Sequence, residues 1–400
     1  MSTASHSGHS HSGHSHSGHS HSGHGMKTFA GLDAYAGFAA TGLLSDAMLR
    51  SREATVGALS AAVPVLPGLP PHPRNPLYYR AWMQDEFPDL DQIAHMARWA
   101  PHIRQHILDF VFLSSIRFST SKVVGAGGVL EHHAVLADAA GAPIVTLVRP
   151  PIRVFRGQVD HVMQHAILRQ DRSAEILTQV VPPIAYFASV MGLSFERTRF
   201  TMELLEHAQR FAMLVLMRFK HALACPRPVE YSPLVQPMLD TPPFSALPAG
   251  HATESYMFAG VMRRLAKLAK TSETSKQLAA LAERISTNRV VAGLHFPLDN
   301  VAGRMLGETL AEYFVHLCAE ARPNPPNPPL GWVPRVFDGE ALNGLEDFDP
   351  AVPMDGAGAT GAFGRNVSLT SVFSAGALTP SPANWLWDQA VDEMSQLGLT

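Results

Sequence analysis

The chain has 400 residues, 46% apolar and only 16% charged, which is enough material for a large folded core and too orderly a composition for disorder. Its formal net charge of −3 excludes bulk attraction to nucleic acid, so any cationic site must be local. Two cysteines, Cys225 and Cys318, allow at most one disulfide and no disulfide framework.

Residues 1–25 repeat Ser, Gly and His without an apolar residue able to pack, and read as a purification tag with Met26 as the native start. No stretch reaches the roughly 18 consecutive apolar residues of a membrane span, and the segment after Met26 lacks a signal-peptide core. The expectation is a cytoplasmic protein that engages neither membrane nor nucleic acid.

Residues 27–75 are rich in Ala, Gly and Pro, and read as a short helix or two followed by an irregular arm. Apolar residues at helical intervals predict helix over 77–115, with Asp89 or Asp91 as a cap. Two β-branched runs within 121–155, separated by Ala-Ala-Gly-Ala-Pro, predict a hairpin or pair of strands. His132 and His133 are adjacent in the first run and would face opposite sides of it. From 157 to 220 the pattern is helical again, ending in a long helix that closes at Lys220. His102/His106 and His161/His165 stand at i,i+4 but lack the intervening Glu of a zinc-peptidase helix. Further helices are expected over 251–270, from the Ser/Thr-capped segment at 271 onward, and over 297–320. Residues 322–380 read as irregular. Ser381 is placed to cap a last helix with an apolar stripe through Leu386, Ala390 and Met394. The class is mainly α with a minor β hairpin. The chain divides into a tag (1–25), an N-terminal arm with the hairpin (26–155), a helical bundle (156–321) and a tail (322–400).

Three short pieces inside that bundle carry the chemistry. Lys220 and Arg227 are seven residues apart, with Pro226 breaking the helix between them. Pro248-Ala249-Gly250-His251 makes a turn whose last residue opens a helix, so unpaired backbone N–H groups and the bare Gly250 form an anion-binding corner. Arg289 precedes His295 by six residues, and Asp299 lies four beyond it, one helical turn away and able to hold the imidazole tautomer. Three cations, two histidines and a carboxylate suit a tetrahedral oxyanion.

In order and spacing these pieces resemble the signature of the superfamily of vanadium-dependent haloperoxidases and type 2 phosphatidic-acid phosphatases: Lys-x6-Arg-Pro, Pro-Ser-Gly-His, then Ser-Arg-x5-His-x3-Asp. The resemblance spans about residues 160–320 and implies a haloperoxidase-like helical bundle. It implies vanadate as cofactor, with His295 as the metal ligand, Lys220, Arg227, Gly250 and Arg289 around the oxygens, and His251, His295 and Asp299 as the catalytic group. Hydrogen peroxide, a halide and a small organic acceptor would be the partners, and a homo-oligomer is compatible. In a phosphatase of the same superfamily, His295 would instead attack phosphorus and His251 would protonate the leaving group. A non-catalytic oxyanion-binding or assembly protein is a third reading. Two departures stand out. Ala249 replaces a Ser whose hydroxyl donates to the oxyanion, and Asn288 replaces the Ser before Arg289. Phe244 matches a position where chloroperoxidase-type relatives carry Phe and algal bromoperoxidases carry His.

Overall fold

The computed structural model describes residues 50, 90–125, 128–319, 331–339, 347–349 and 381–399. The tag, most of the N-terminal arm, Asp89 and most of the irregular tail lie outside them.

Helices dominate, as the apolar periodicity predicts. After a 3-10 segment at Ile93–Arg98 come α1 (Pro101–Ser114), α2 (Ile152–His165), α3 (Arg169–Thr178), α4 (Ile184–Met191) and α5 (Arg199–Leu223). These are followed by α6 (Gly250–Leu265), α7 (Glu273–Val291), α8 (Pro297–Ala319) and α9 (Pro382–Gln396). Pro101, Pro297 and Pro382 each stand at or next to a helix start, where a missing N–H costs nothing. Ser272 caps α7 by accepting from Ser275 N–H, as its position predicts. Asp91 caps nothing: it takes φ 53°, and Gln92 is the residue before the 3-10 segment.

Two findings extend the helical middle. Beside its expected segments a further helix, α4, forms just past Pro182-Pro183 and ends on Gly192 in the left-handed region. The long helix also runs one turn past Lys220, to Leu223. It is closed by Ala224 at φ 49°, whose N–H returns to the Lys220 carbonyl. Pro226 lies beyond that cap rather than forming it.

The predicted hairpin is one part of a four-stranded sheet, β1 (Ile116–Val124), β2 (Leu130–Asp138), β3 (Pro143–Val148) and β4 (Arg335–Asp338), in that order. β1 and β2 pair antiparallel with Ile116 opposite Asp138, and β3 pairs antiparallel with β2. β4 joins in parallel, with Val145 opposite Arg335. β2 buries alternate residues and β3 is buried on both faces, at Ile144, Val145, Leu147 and Val148, whereas β1 is largely exposed. Arg335 holds the sheet to α8 through Glu312 (2.9 and 3.0 Å) and Thr309 (2.9 Å).

The core is built around α6 and α8, which pack together more extensively than any other helix pair, with α5 and α7 alongside α6. Their close approach has a specific cause. A Cβ at Gly303 would stand 2.6 Å from the Ala249 carbonyl oxygen, and one at Gly307 would stand 2.4 Å from the Thr253 carbonyl oxygen. Only glycine at these two positions, one helical turn apart, lets the start of α6 lie on α8. The Ala249 N–H then donates to the Asp299 carbonyl at 2.9 Å, joining the second and third motifs. Phe112, Phe211 and Phe314 fill the centre with ring centroids 4.8–6.2 Å apart. Phe155, Tyr231 and Phe296 pack together next to the third motif. The stripe Leu386, Ala390 and Met394 on α9 is buried against this body.

Candidate active site

The end of α5, the start of α6, the end of α7 and the approach to α8 meet at one cleft of about 630 Å³, partly open to solvent. Lys220, Arg227, Gly250, His251, Arg289 and His295 all line it. Asp299 stands behind His295 and is fully buried. The candidate residues of the three motifs are therefore in one place, although they come from stretches up to 79 residues apart in sequence.

His295 has its two ring nitrogens sorted by their neighbours. The Asp299 carboxylate accepts at 3.1 Å from Nδ1 and at 2.9 Å from the Phe296 N–H, both on Oδ2. Nδ1 therefore carries the proton and Nε2 is the acceptor. Arg227 Nη1 donates to that Nε2 at 3.0 Å and to the Leu294 carbonyl at 2.9 Å. Burial, then the charges of Arg227 and Lys220, hold the His295 pKa well below the ordinary imidazole value, so the ring is neutral at pH 7. Its Nε2 lone pair faces the cationic cleft and is held by Arg227 Nη1, which has to release it before an electron-poor centre can bind there. Burial pushes Asp299 up to about 7, opposed by the Phe296 N–H and by Lys220 and Arg227.

The cations are anchored by backbone. Lys220 Nζ donates to the carbonyls of Ser245 and Ala246, each at 2.8 Å, which occupies two of its three protons and leaves the third for the cleft. Burial and the neighbouring Arg227 depress its pKa well below the usual lysine value. Arg227 Nε donates to the Phe244 carbonyl at 2.9 Å, and the Phe244 ring lies 5.2 Å from its guanidinium and 5.5 Å from Lys220 Nζ. Arg289, in the last turn of α7, donates through Nη2 to Gln179 Oε1 at 3.1 Å and to the Ile176 carbonyl at 3.3 Å. Burial lowers both arginines to about 10, so they remain protonated at neutral pH.

His251 donates from Nε2 to the Gln179 carbonyl at 2.6 Å. A carbonyl only accepts, so Nε2 bears hydrogen, and Nδ1 is the ring nitrogen left to exchange a proton. Ala249, the residue before α6, is completely buried and offers a methyl group.

Sequence reasoning missed two residues here. Gln179 ties the site together, its main chain accepting from His251 and its side chain from Arg289 and from Asn288 Nδ2 (3.0 Å). Asn288, where the family pattern has Ser, thus holds the partner of Arg289. No motif marks Gln179, which lies at the end of α3, far from the three pieces. Glu254 also lines the cleft, one turn past Gly250, and is 1% exposed. Helical spacing from Gly250 was the signal that could have found it. The paired histidines at 102/106 and 161/165 do not enter the site, and among the described residues no cluster of His, Cys, Asp and Glu is arranged to hold a metal ion. Cys225 and Cys318 are buried free thiols, and burial pushes Cys225 up to about 12, which leaves it inert.

The donor set fits a bound oxyanion. Arg227 Nη2 and Arg289 Nε are buried with no acceptor, and each such donor costs about 1–3 kcal/mol until one arrives. Asp299 accepts from His295 and the Phe296 N–H through one oxygen, and among the described residues no carboxylate accepts from a side-chain nitrogen of Lys220, Arg227 or Arg289. Buried cationic side chains whose donors meet no carboxylate form an incomplete set that a tetrahedral oxyanion completes.

Among the described residues no helix is long and apolar enough to cross a membrane. No curated protein matches the chain. Residues 206–323, which hold all three motifs, match the family model described as the PAP2 superfamily.

Proposed function

We propose that the chain is a vanadium-dependent haloperoxidase, with orthovanadate held at His295 Nε2. Bound there, vanadate would supply the Lewis-acid activation that lets hydrogen peroxide oxidise a halide to a hypohalous-acid equivalent, for transfer to a small organic acceptor. Asp299 keeps Nε2 unprotonated for the ligand bond. Lys220, Arg227, Arg289 and the Gly250 amide neutralise the anionic oxygens from different sides. His251 moves the proton.

The observation that favours this reading over phosphate-ester hydrolysis is the cleft's edge. The Phe244 ring lies over Lys220 and Arg227, and gives the cleft an apolar side suited to a weakly hydrated halide.

The test is halogenation of a reporter dione with orthovanadate, peroxide and bromide, run beside hydrolysis of an aryl phosphate without vanadate. Vanadate-dependent halogenation is expected, and His295→Ala should lower it by about 10³-fold or more. Turnover of the phosphate ester alone would overturn the reading in favour of a phosphatase.

A further inference from the structure

Ala249 leaves the oxyanion short of one hydroxyl donor, and the obvious substitute is already engaged. Ser245 Oγ accepts from the Cys225 N–H at 2.8 Å and turns its own hydrogen toward the Leu247 carbonyl at 3.4 Å, so it serves the loop rather than the cleft. Glu254 is differently placed. It lines the cleft on the same face of α6 as Gly250 and is nearly completely buried. Its one hydrogen bond is long: Gln209 Nε2 donates to Oε1 at 3.5 Å.

A carboxylate at this position would repel any anion in the cleft. A neutral carboxylic acid would not, and its hydrogen would need an acceptor. Gln209 presents a donor to Oε1, which puts the acid hydrogen on Oε2, and no protein acceptor takes it among the described residues. We infer that Glu254 acts as a neutral acid whose O–H donates to the bound oxyanion, in place of the hydroxyl that Ala249 cannot supply. This rests on the reading of the cleft as an oxyanion site, and holds for vanadate and phosphate alike. Burial, the largest influence on this carboxyl, pushes it up to about 7, against the opposing effects of Gln209 and Lys220. The other titratable groups facing the cleft are Lys220 from α5, Arg289 from α7, His295 from the approach to α8, His251 from α6 itself, and Arg227 and Asp240 from the connection between α5 and α6. α4 and α9 add none.

Tungstate is the probe, being a tetrahedral dianion whose own protonation does not change between pH 6 and 8.5. Its affinity is measured by calorimetry for the wild-type chain, Glu254→Gln and Glu254→Ala, with folding checked by thermal melting. Wild-type affinity should fall about tenfold from pH 6 to 8.5, as the donor is lost and a negative charge appears. Glu254→Gln keeps an N–H donor at every pH and should remove at least half of that slope. Glu254→Ala should bind about tenfold more weakly at pH 6, and adding Ala249→Ser should restore most of the loss. A Glu254→Gln slope within half of the wild-type value, or undiminished binding by Glu254→Ala at pH 6, overturns the role of Glu254 alone. Failure of the wild-type chain to bind tungstate overturns the oxyanion site and this inference with it.

Discussion

Helix α5 carries buried charge near both ends, and the two ends are built on opposite plans. Near its start, Arg104 from α1 meets Glu203 in a two-pronged ion pair, Nε to Oε1 at 2.7 Å and Nη2 to Oε2 at 2.5 Å. The third nitrogen, Nη1, reaches the Trp99 and Met96 carbonyls, and the Trp385 ring lies 5.0 Å from the guanidinium. Burial works to raise Glu203, yet Arg104 and His207 together hold it below the usual carboxylate range. At the other end, Lys220 joins Arg227 and Arg289 with donors left unmet. In the first, all three Arg104 nitrogens and both Glu203 oxygens are answered by the protein alone, and the pair acts as a structural clasp. The second awaits charge from outside. Burial of charge therefore does not by itself mark a functional site. What distinguishes the two is whether the donors are all answered.

Breaking the clasp should give the largest change in stability. Arg104→Ala leaves Glu203 buried without its guanidinium and is expected to lower unfolding free energy by about 3–5 kcal/mol in urea titrations. Tungstate affinity of the folded fraction should stay within about twofold. The mirror experiment is Arg289→Ala. It removes a cation that lacks a counter-charge, so stability should shift by less than about 1 kcal/mol while anion affinity falls about 10- to 100-fold. Equal stability losses from both substitutions would erase the distinction between the two ends. Glu206, between them on α5, gives the smallest and most pH-specific effect. Burial, then the neighbouring Glu203, raises it from 4.5 to about 7, and Oε2 has no partner. The folded state thus keeps a proton that the unfolded chain releases, and stability falls as pH climbs from about 4.5 to 7. Glu206→Gln should therefore stabilise by about 1–2 kcal/mol at pH 8 and by nothing measurable at pH 4, as read by chemical denaturation.

The parts of this molecule legible in the sequence are those whose causes are local. Lys220 and Arg227 flank a helix end, His251 opens a helix behind Gly250, and Asp299 lies one turn beyond His295. Each relation spans fewer than ten residues, and the structure retains each of them. The illegible parts depend on partners distant in the chain. The sheet was read as a hairpin because β4 lies nearly 190 residues beyond β3, and because β1 is too exposed to show alternation. Helix α4 was hidden behind two prolines. Gln179 enters the site by way of its backbone carbonyl, which no residue type announces. Glu254 lies in a helix already expected, but no motif marks it, and its burial beside the cleft comes from packing against other helices.

The first turn of α5 is completed from an unexpected direction. Glu393 on α9 accepts from the Phe200 N–H at 3.0 Å, the Thr201 N–H at 2.8 Å and the Thr201 hydroxyl at 2.9 Å. The helix that delivers Lys220 to the cleft is therefore capped by a residue made about 190 positions later. During synthesis, a ribosome will have finished every motif of the site well before that carboxylate emerges. Until it does, α5 keeps raw amides at its start, and the oxyanion cleft is assembled on a helix not yet secured.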